Sequence, residues 1–333
     1  MTGRNSAGIL GTGFCLPEKK MTNFDLEKIV NTSDDWIVGR TGIHERRIAP
    51  EGTATSDIAF GAAKMALKDA NVKPEDLDLI IVATISSDRI IPSTACVLQD
   101  MLGASHAGAF DLTAACSGFI YASSIAVQFI ESGVYKKILV IGAEALSRFV
   151  DWQDRNTCVI FGDGAGAAVY GQVDDGYGML SFELGSDGSG GNSLDIPGGG
   201  SLHPASLDTV KNRLHYLHMN GKEVFRFSVK IMGETVLNSL KKAGMQIEDI
   251  DWLVPHQANI RIIQTGAKRL HLSMDKVIVN IGKYGNTSAA SIPIALAEAA
   301  HNKTFKRGDI LAFSGFGAGL TWASCIMKWA KEE

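Results

Sequence analysis

Two stretches of this chain, starting at residues 66 and 239, carry one pattern at an offset of 173 residues. They read ALKDANVKPEDLDLII (66–81) and SLKKAGMQIEDIDWLV (239–254). Each gives a helix end, a turn, the series Glu-Asp-aliphatic-Asp and then an apolar strand. A second pair, KKILVIGAE (136–144) and GDILAFSGF (308–316), follows in the same order at nearly the same offset. Between the pairs, each half carries a strand and then a helix rich in Ala and Ser, opening at Cys116 in the first half and near Asn286 in the second. The period is too long for a solenoid, so the chain is expected to be a duplicated α/β unit. Its halves are 1–178 and 179–333, packed side by side.

Strands such as LIIVAT, ILVIGA and ILAFSG are apolar throughout, as strands covered on both faces are. They alternate with amphipathic segments such as SDIAFGAAKMALKDA, which predicts layered α/β architecture. Active sites in such folds gather where strands end and helices begin.

With 333 residues, 45% of them hydrophobic and 20% charged, the chain has the composition of a soluble globular protein with room for two pseudo-domains. A net charge of −4 gives no global drive toward nucleic acid or an anionic membrane, so an anionic partner must meet a local basic patch. The start, MTGRNSAGILGTGFCLP, lacks the apolar core of a signal peptide, and no run approaches the roughly 20 apolar residues of a membrane span. A cytoplasmic protein is expected. Five widely spaced cysteines (15, 96, 116, 158 and 325) without a CxxC pair argue against a disulfide framework and a structural zinc site. HxxH in LHYLHM (His215, His218) lacks a third ligand, and no metal is expected.

Cys116, in DLTAACSGFIYA, follows a strand-like segment and opens a helix among small neighbours. At a helix N-terminus the dipole and free N–H groups favour thiolate and lower its pKa, which makes Cys116 a candidate nucleophile; an inert core thiol is the alternative. His256, in WLVPHQANIRII, sits where Pro255 stops an apolar strand. Asn286, in YGNTS, stands at the start of the equivalent helix, where an N-cap is the alternative role. The repeat puts all three on one side of the sheet. Together they suit thiol acyl transfer, with a thioester on the cysteine and the His and Asn as donors to a developing oxyanion. The glycine-rich FGDGAGAA (161–168) and GFGAGLTW (315–322) lack GxGxxG spacing and read as tight turns; the second could present N–H groups to an oxyanion. GSDGSGGNSLDIPGGGSLHPAS (185–206) reads as a long loop, either a solvated connector or a wall over a pocket.

The stretches TSDDWIVGRTGIHERR (32–47), PSTACVLQ (92–99), FDLTAACSGF (110–119), IFGDGAGA (160–167), PHQANIRI (255–262), NIGKYGNTSAASIP (280–293) and GFGAGLTW (315–322) resemble the β-ketoacyl-acyl-carrier-protein synthase III family over nearly the whole chain. The resemblance implies a thiolase fold with duplicated halves in an αβαβα arrangement, a homodimer, and no metal or redox cofactor. It implies that Cys116 takes an acyl group from an acyl-CoA, usually acetyl-CoA. His256 and Asn286 then hold the carbonyl of malonyl-acyl-carrier protein while CO₂ leaves, and the resulting carbanion attacks the acyl-cysteine to start fatty acid synthesis.

The same resemblance implies that Phe316 is a dry wall beside the catalytic set and Ala318 a backbone oxyanion donor. Thr32, Trp36, Arg40 and Arg155 become a CoA groove, and Ile91 a residue that reaches the partner subunit's acyl pocket. Arg261, Lys268 and Arg269, at i, i+7 and i+8, share a helix face suited to an acidic carrier protein. The alternatives are a related acyl-transfer or secondary-metabolite condensing enzyme, a catalytically silent scaffold, and a cysteine hydrolase.

Overall fold

The computed structural model describes residues 6–332. Met1–Asn5, the first residues of the segment in which no signal peptide is expected, and Glu333 lie outside the described residues. Two larger sheets carry the fold. The first holds β1 (Ala7–Cys15), β2 (Leu79–Ala83), β3 (Gly108–Leu112), β4 (Lys137–Glu144) and β5 (Gly164–Gln172) in the order β1-β5-β4-β2-β3. The second holds β6 (Gly178–Ser186), β7 (Trp252–Pro255), β8 (Ile310–Gly317) and β9 (Thr321–Lys328) in the order β7-β8-β9-β6. The main helices are α1 (Thr55–Ala70), α2 (Thr94–Leu102), α3 (Gly118–Glu131), α4 (Gly221–Ala243), α5 (Ile260–Arg269) and α6 (Ser291–His301).

The apolar strands split their side chains between two layers, as a period of two requires. In β2, Leu79, Ile81 and Ala83 join a core with Phe119 and Ile120 of α3 and Ile292 and Leu296 of α6. Ile80 and Val82 join a different core with Ile58, Ala59 and Ala62 of α1. In β8, Leu311 and Phe313 enter the first of these cores, while Ala312 and Phe316 pack with Met232 and Val236 of α4 and Ile262 of α5. The result is helix, sheet, helix, sheet, helix. Each fully buried Leu, Ile or Phe contributes about 1.5–3 kcal/mol before entropy is counted.

The repeated Glu-Asp-aliphatic-Asp series has a hydrogen-bonding reason. Its first Asp closes the turn before the strand: Asp76 Oδ2 accepts from Lys73 N and Asp249 Oδ2 from Gln246 N. Its last Asp pins the neighbouring strand: Asp78 Oδ2 accepts from Lys137 N (2.9 Å) and Asp251 Oδ2 from Ile310 N (2.8 Å). The repeat extends to the turns ahead of α3 and α6, where Ala115 (φ 46°) and Ser288 (φ 48°) both take the left-handed backbone that L-residues rarely adopt.

Several local expectations change. The strand expected ahead of Asn286 shrinks to one bridge, Leu253 with Val277, because the chain turns at Asn280 into the short helix Ile281–Tyr284. The strand stops at Pro255 as expected, though the proline is itself the last residue of β7, paired with Ser314, as an outer strand tolerates. The two glycine-rich stretches are mostly strand. Gly166 in β5 gives way to α6, where a Cβ would lie 2.4 Å from Ile294 N, and only Ala318–Leu320 forms a turn after β8. Residues 185–206 are not one loop: they begin as the end of β6 and include Leu194–Asp195, which pairs with His218–Met219.

Candidate active site

Cys116 lies in the 3₁₀ turn Ala115–Ser117 that leads into α3. The end of β8 presses on it: a Cβ at Gly317 would stand 2.7 Å from Cys116 N, so only glycine permits that approach. The thiol is buried, with Sγ 3.4 Å from Ser288 Oγ. The expectation of a lowered pKa is overturned. Burial pushes the Cys116 thiol up to about 12; the Ser288 hydrogen bond offsets part of this and the charge of Glu144 adds to it. A three-residue turn inside the core does not outweigh desolvation of the thiolate.

His256 follows β7 and is also buried, its backbone N bonded to Ser314 O. Burial pulls its pKa down to about 3, so the ring is neutral. Nδ1 lies 2.6 Å from Ser291 Oγ. The Gln257 N–H donates to that same Oγ (3.4 Å), and a Ser291 hydroxyl that gives its own hydrogen to Nδ1 puts the ring hydrogen on Nε2. The edge of Phe316 meets the ring, centroids 5.3 Å apart. Gln257, fully buried, clamps the segment: Nε2 donates to Pro255 O and Ile278 O, and Oε1 accepts from Asn280 N and Ile281 N.

Asn286 does not cap α6, which starts five residues later at Ser291. Its backbone bonds Ile160 O and Gly162 N, and its Oδ1 accepts from Ser288 N (2.8 Å). The Nδ2 donor is left for the cleft that Asn286 lines. The neutral His256 ring and the Asn286 amide thus both border the cleft that Cys116 lines.

That cleft, about 1480 Å³, is lined by Cys116, His256, Asn286 and Phe316 at its base and by Trp36, Arg40, Arg261 and Arg269 further out. A second cavity of about 380 Å³ also reaches Cys116 and is walled by Ile85, Ala115, Phe161, Leu194, Leu217 and Ala318, among others. The nucleophile candidate therefore stands between two chambers. Ala318 keeps φ out of the left-handed region, which falls to Gly319 (φ +133°), as a backbone donor at 318 requires.

Arg40 and Arg155 form no ion pair among the described residues; both stack on Trp36, at 5.2 and 4.9 Å from the ring centroid. Thr32 Oγ1 is buried without a hydrogen-bond partner, but neither Thr32 nor Arg155 lines the cleft. Lys268 is exposed and also stays out of the cleft lining, unlike Arg261 and Arg269. Ile91 is 82% exposed in the single chain, and Ile90 rather than Ile91 touches the second cavity. His215 Nε2 is taken by Thr209 Oγ1, and His218 lines the cleft.

The comparisons with known proteins decide the family. Residues 110–188 match the family description 3-oxoacyl-[acyl-carrier-protein (ACP)] synthase III, and residues 240–329 match its C-terminal part. A β-ketoacyl-[acyl-carrier-protein] synthase III from Caldanaerobacter subterraneus subsp. tengcongensis is 59% identical over 326 residues, 98% of either chain. The chain belongs to the synthase III family. Among solved structures, 3-oxoacyl-[acyl-carrier-protein] synthase III from Aquifex aeolicus is 49% identical with a TM-score of 0.90, covering 97% of this chain and 100% of that one. The priming β-ketosynthase from the R1128 polyketide pathway is 33% identical with a TM-score of 0.92, covering 100% and 99%. The thiolase-like fold expected of the family is the fold observed.

Family membership turns attention to residues that the motifs did not single out. Lys222, Arg226 and Lys230 line the cleft beside Arg261. Their spacing of four on α4 is the signal that could have revealed one basic face. Ser291, Gln257, Ser288 and Glu144 surround Cys116, His256 and Asn286, and only the long-range contacts reveal them.

Proposed function

We propose that Cys116 takes an acyl group from an acyl-CoA and that His256 and Asn286 then direct malonyl decarboxylation. As a member of the synthase III family, the chain is an acyl-transferring condensing enzyme. It joins an acyl-CoA to malonyl-acyl-carrier protein to give a 3-oxoacyl-acyl-carrier protein and so initiates fatty acid synthesis. The observation that carries the residue assignment is the buried Cys116 thiol at the meeting point of two chambers, with the neutral His256 ring and the Asn286 amide lining the larger one.

In the first half-reaction the Cys116 sulfur attacks the thioester carbonyl, the backbone N–H groups of Cys116 and Ala318 hold the oxyanion, and CoA leaves. Trp36 offers a stacking face for adenine, Arg40 and Arg155 at its ring offer guanidinium groups for phosphate, and Thr32 stands in the same segment with its Oγ1 turned inward. The acyl group occupies the second cavity, which leaves room beyond an acetyl group.

In the second half-reaction the malonyl thioester carbonyl sits on His256 Nε2 and Asn286 Nδ2. Each such donor is worth about 10²–10³ in rate where charge develops on oxygen. Phe316 lends an apolar wall that favours the loss of charged carboxylate as CO₂. Decarboxylation supplies the driving force, and the carbanion attacks the acyl-cysteine. This division gives the nucleophile to half 1–178 and the decarboxylation donors to half 179–333. In a homodimer, the exposed Ile90–Ile91 pair would bring Ile91 to the partner's acyl cavity. The setting is cytoplasmic, where acyl-CoA and carrier protein meet.

Incubation with acetyl-CoA, followed by weighing the Cys116 peptide, tests the reading. An acetyl adduct that discharges on adding malonyl-carrier protein is expected. Failure of acetyl-CoA and of longer and branched acyl-CoAs alike to modify Cys116 would sink it.

The acidic carrier protein should dock on the basic rim formed by Arg226, Arg261 and Arg269, with Lys268 further along α5. Arg261→Glu is expected to raise KM for malonyl-carrier protein roughly tenfold, about 1.4 kcal/mol, with acyl-CoA loading unchanged. Steady-state kinetics with each substrate varied separately decide this; an equal fall in loading contradicts a docking role.

A further inference from the structure

Glu144 ends β4 with no exposed surface and has no part in the chemistry above. Its carboxylate accepts from Ser86 Oγ (2.5 Å), Thr84 Oγ1 (3.2 Å) and Ile85 N (3.2 Å) on one side. On the other side it accepts from Ala289 N (3.4 Å), with the Ser288 side chain next to it. No lysine or arginine pairs with it among the described residues. The strand beside it, β5, presents Gly164, and the adjacent Asp163 is engaged by Ala49 N, Ser147 N and Ser147 Oγ. The other titratable group facing Glu144 is Cys116.

Ser288 stands between the two. Its left-handed backbone, held by Asn286 Oδ1, places Oγ 3.4 Å from Cys116 Sγ, and the next residue's N–H meets the Glu144 carboxylate. A buried carboxylate without a cation is costly to keep charged. Here the Ser288 hydroxyl lies between it and the Cys116 thiol.

We propose that Glu144, acting through Ser288, takes the Cys116 proton as the thiol attacks an acyl thioester and returns it to the departing sulfur. This rests on Cys116 being the nucleophile. The S–H proton passes to Ser288 Oγ as the Ser288 hydroxyl proton passes to the Glu144 carboxylate. The sulfur forms its bond to the thioester carbon, the carbon–sulfur bond to CoA breaks, and the proton travels back to the CoA thiolate. The half-reaction has no net proton change.

The acid–base properties agree. Burial raises Glu144 to about 7 and pulls His256 down to about 3, so Glu144 is the better proton acceptor of the two. Glu144 must be ionised to accept a proton, so loading should increase as pH rises through about 7. His256, neutral well below that range, adds no inflection there.

The test follows acetylation of the Cys116 peptide by timed quench and mass between about pH 5 and 9, with acetyl-CoA as the probe. Wild type is expected to show the inflection near 7. Glu144→Gln and Ser288→Ala should both abolish it and slow loading about 10²-fold at the alkaline end, while Glu144→Asp should keep it. A role confined to holding the turns together would lower the rate equally at every pH and leave the inflection, which overturns the proposal. Thermal melting checks the fold. Should Glu144→Gln not fold, Ser288→Ala, which removes a single hydroxyl, decides, with the pH profile of iodoacetamide alkylation at Cys116 as a second readout. Wild type that never acylates Cys116 sinks the nucleophile assignment and this relay together. Wild type that acylates, with an inflection unchanged in Ser288→Ala, sinks only the relay.

Discussion

Cys116→Ala is expected to abolish acyl loading, at least about 10⁴-fold, because no other group in the cleft can form the thioester. Cys15, Cys96, Cys158 and Cys325 line neither chamber and cannot substitute. The fold should survive, since the change removes one sulfur atom from a turn whose small neighbours stay in place. His256 and Asn286 keep their partners Ser291 and Ser288 in this variant. Release of CO₂ from malonyl-carrier protein should therefore persist while condensation is lost. Intact mass after acyl-CoA exposure and a CO₂ assay read the two steps separately. Normal loading in the variant would move the nucleophile elsewhere, and loss of both steps with a normal melting curve would mean that the two centres are not separable.

Gly142→Ala should damage stability and activity together. Gly142 lies in the central strand β4, and a Cβ there would stand 2.1 Å from Ala289 O and 2.7 Å from Ala289 C. Both contacts are backbone, so no flexible side chain can move aside. Either β4 or the turn Ser288–Ala290 must shift. Overpacking of this kind costs about 3 kcal/mol. The turn carries Ser288 and follows Asn286, and a displacement near 1 Å costs about 10²-fold in rate. Urea unfolding and steady-state condensation kinetics check the two effects. Unchanged stability with full activity would show that the turn is not held by this contact.

Much of this was legible in the residues. The repeat at 66–81 and 239–254 predicted a duplicated layered α/β fold, and its chemistry is local: an Asp that closes a turn and an Asp that pins the next strand. The motif positions of Cys116 and His256 were legible because each follows a strand end, and that of Asn286 because the turn ahead of its helix repeats the one at Cys116. Lys222, Arg226 and Lys230 were readable by their spacing, but nothing local says that their face borders the cleft. Lys268 shows the converse: helix periodicity placed it with Arg261, and the cleft passes it by.

What the amino-acid order determined by itself is the element series, the duplication and the set of chemical groups at strand ends, since these rest on periodicity and short-range hydrogen bonds. What only the tertiary structure decided is their electrostatic state. The thiol is raised to about 12 rather than lowered, the imidazole is neutral, and Ser288 comes beside Glu144 and Cys116 across 144 and 172 residues of chain. Desolvation depends on everything packed around a group, and the atoms that bury Cys116 and Glu144 come from both halves of the chain.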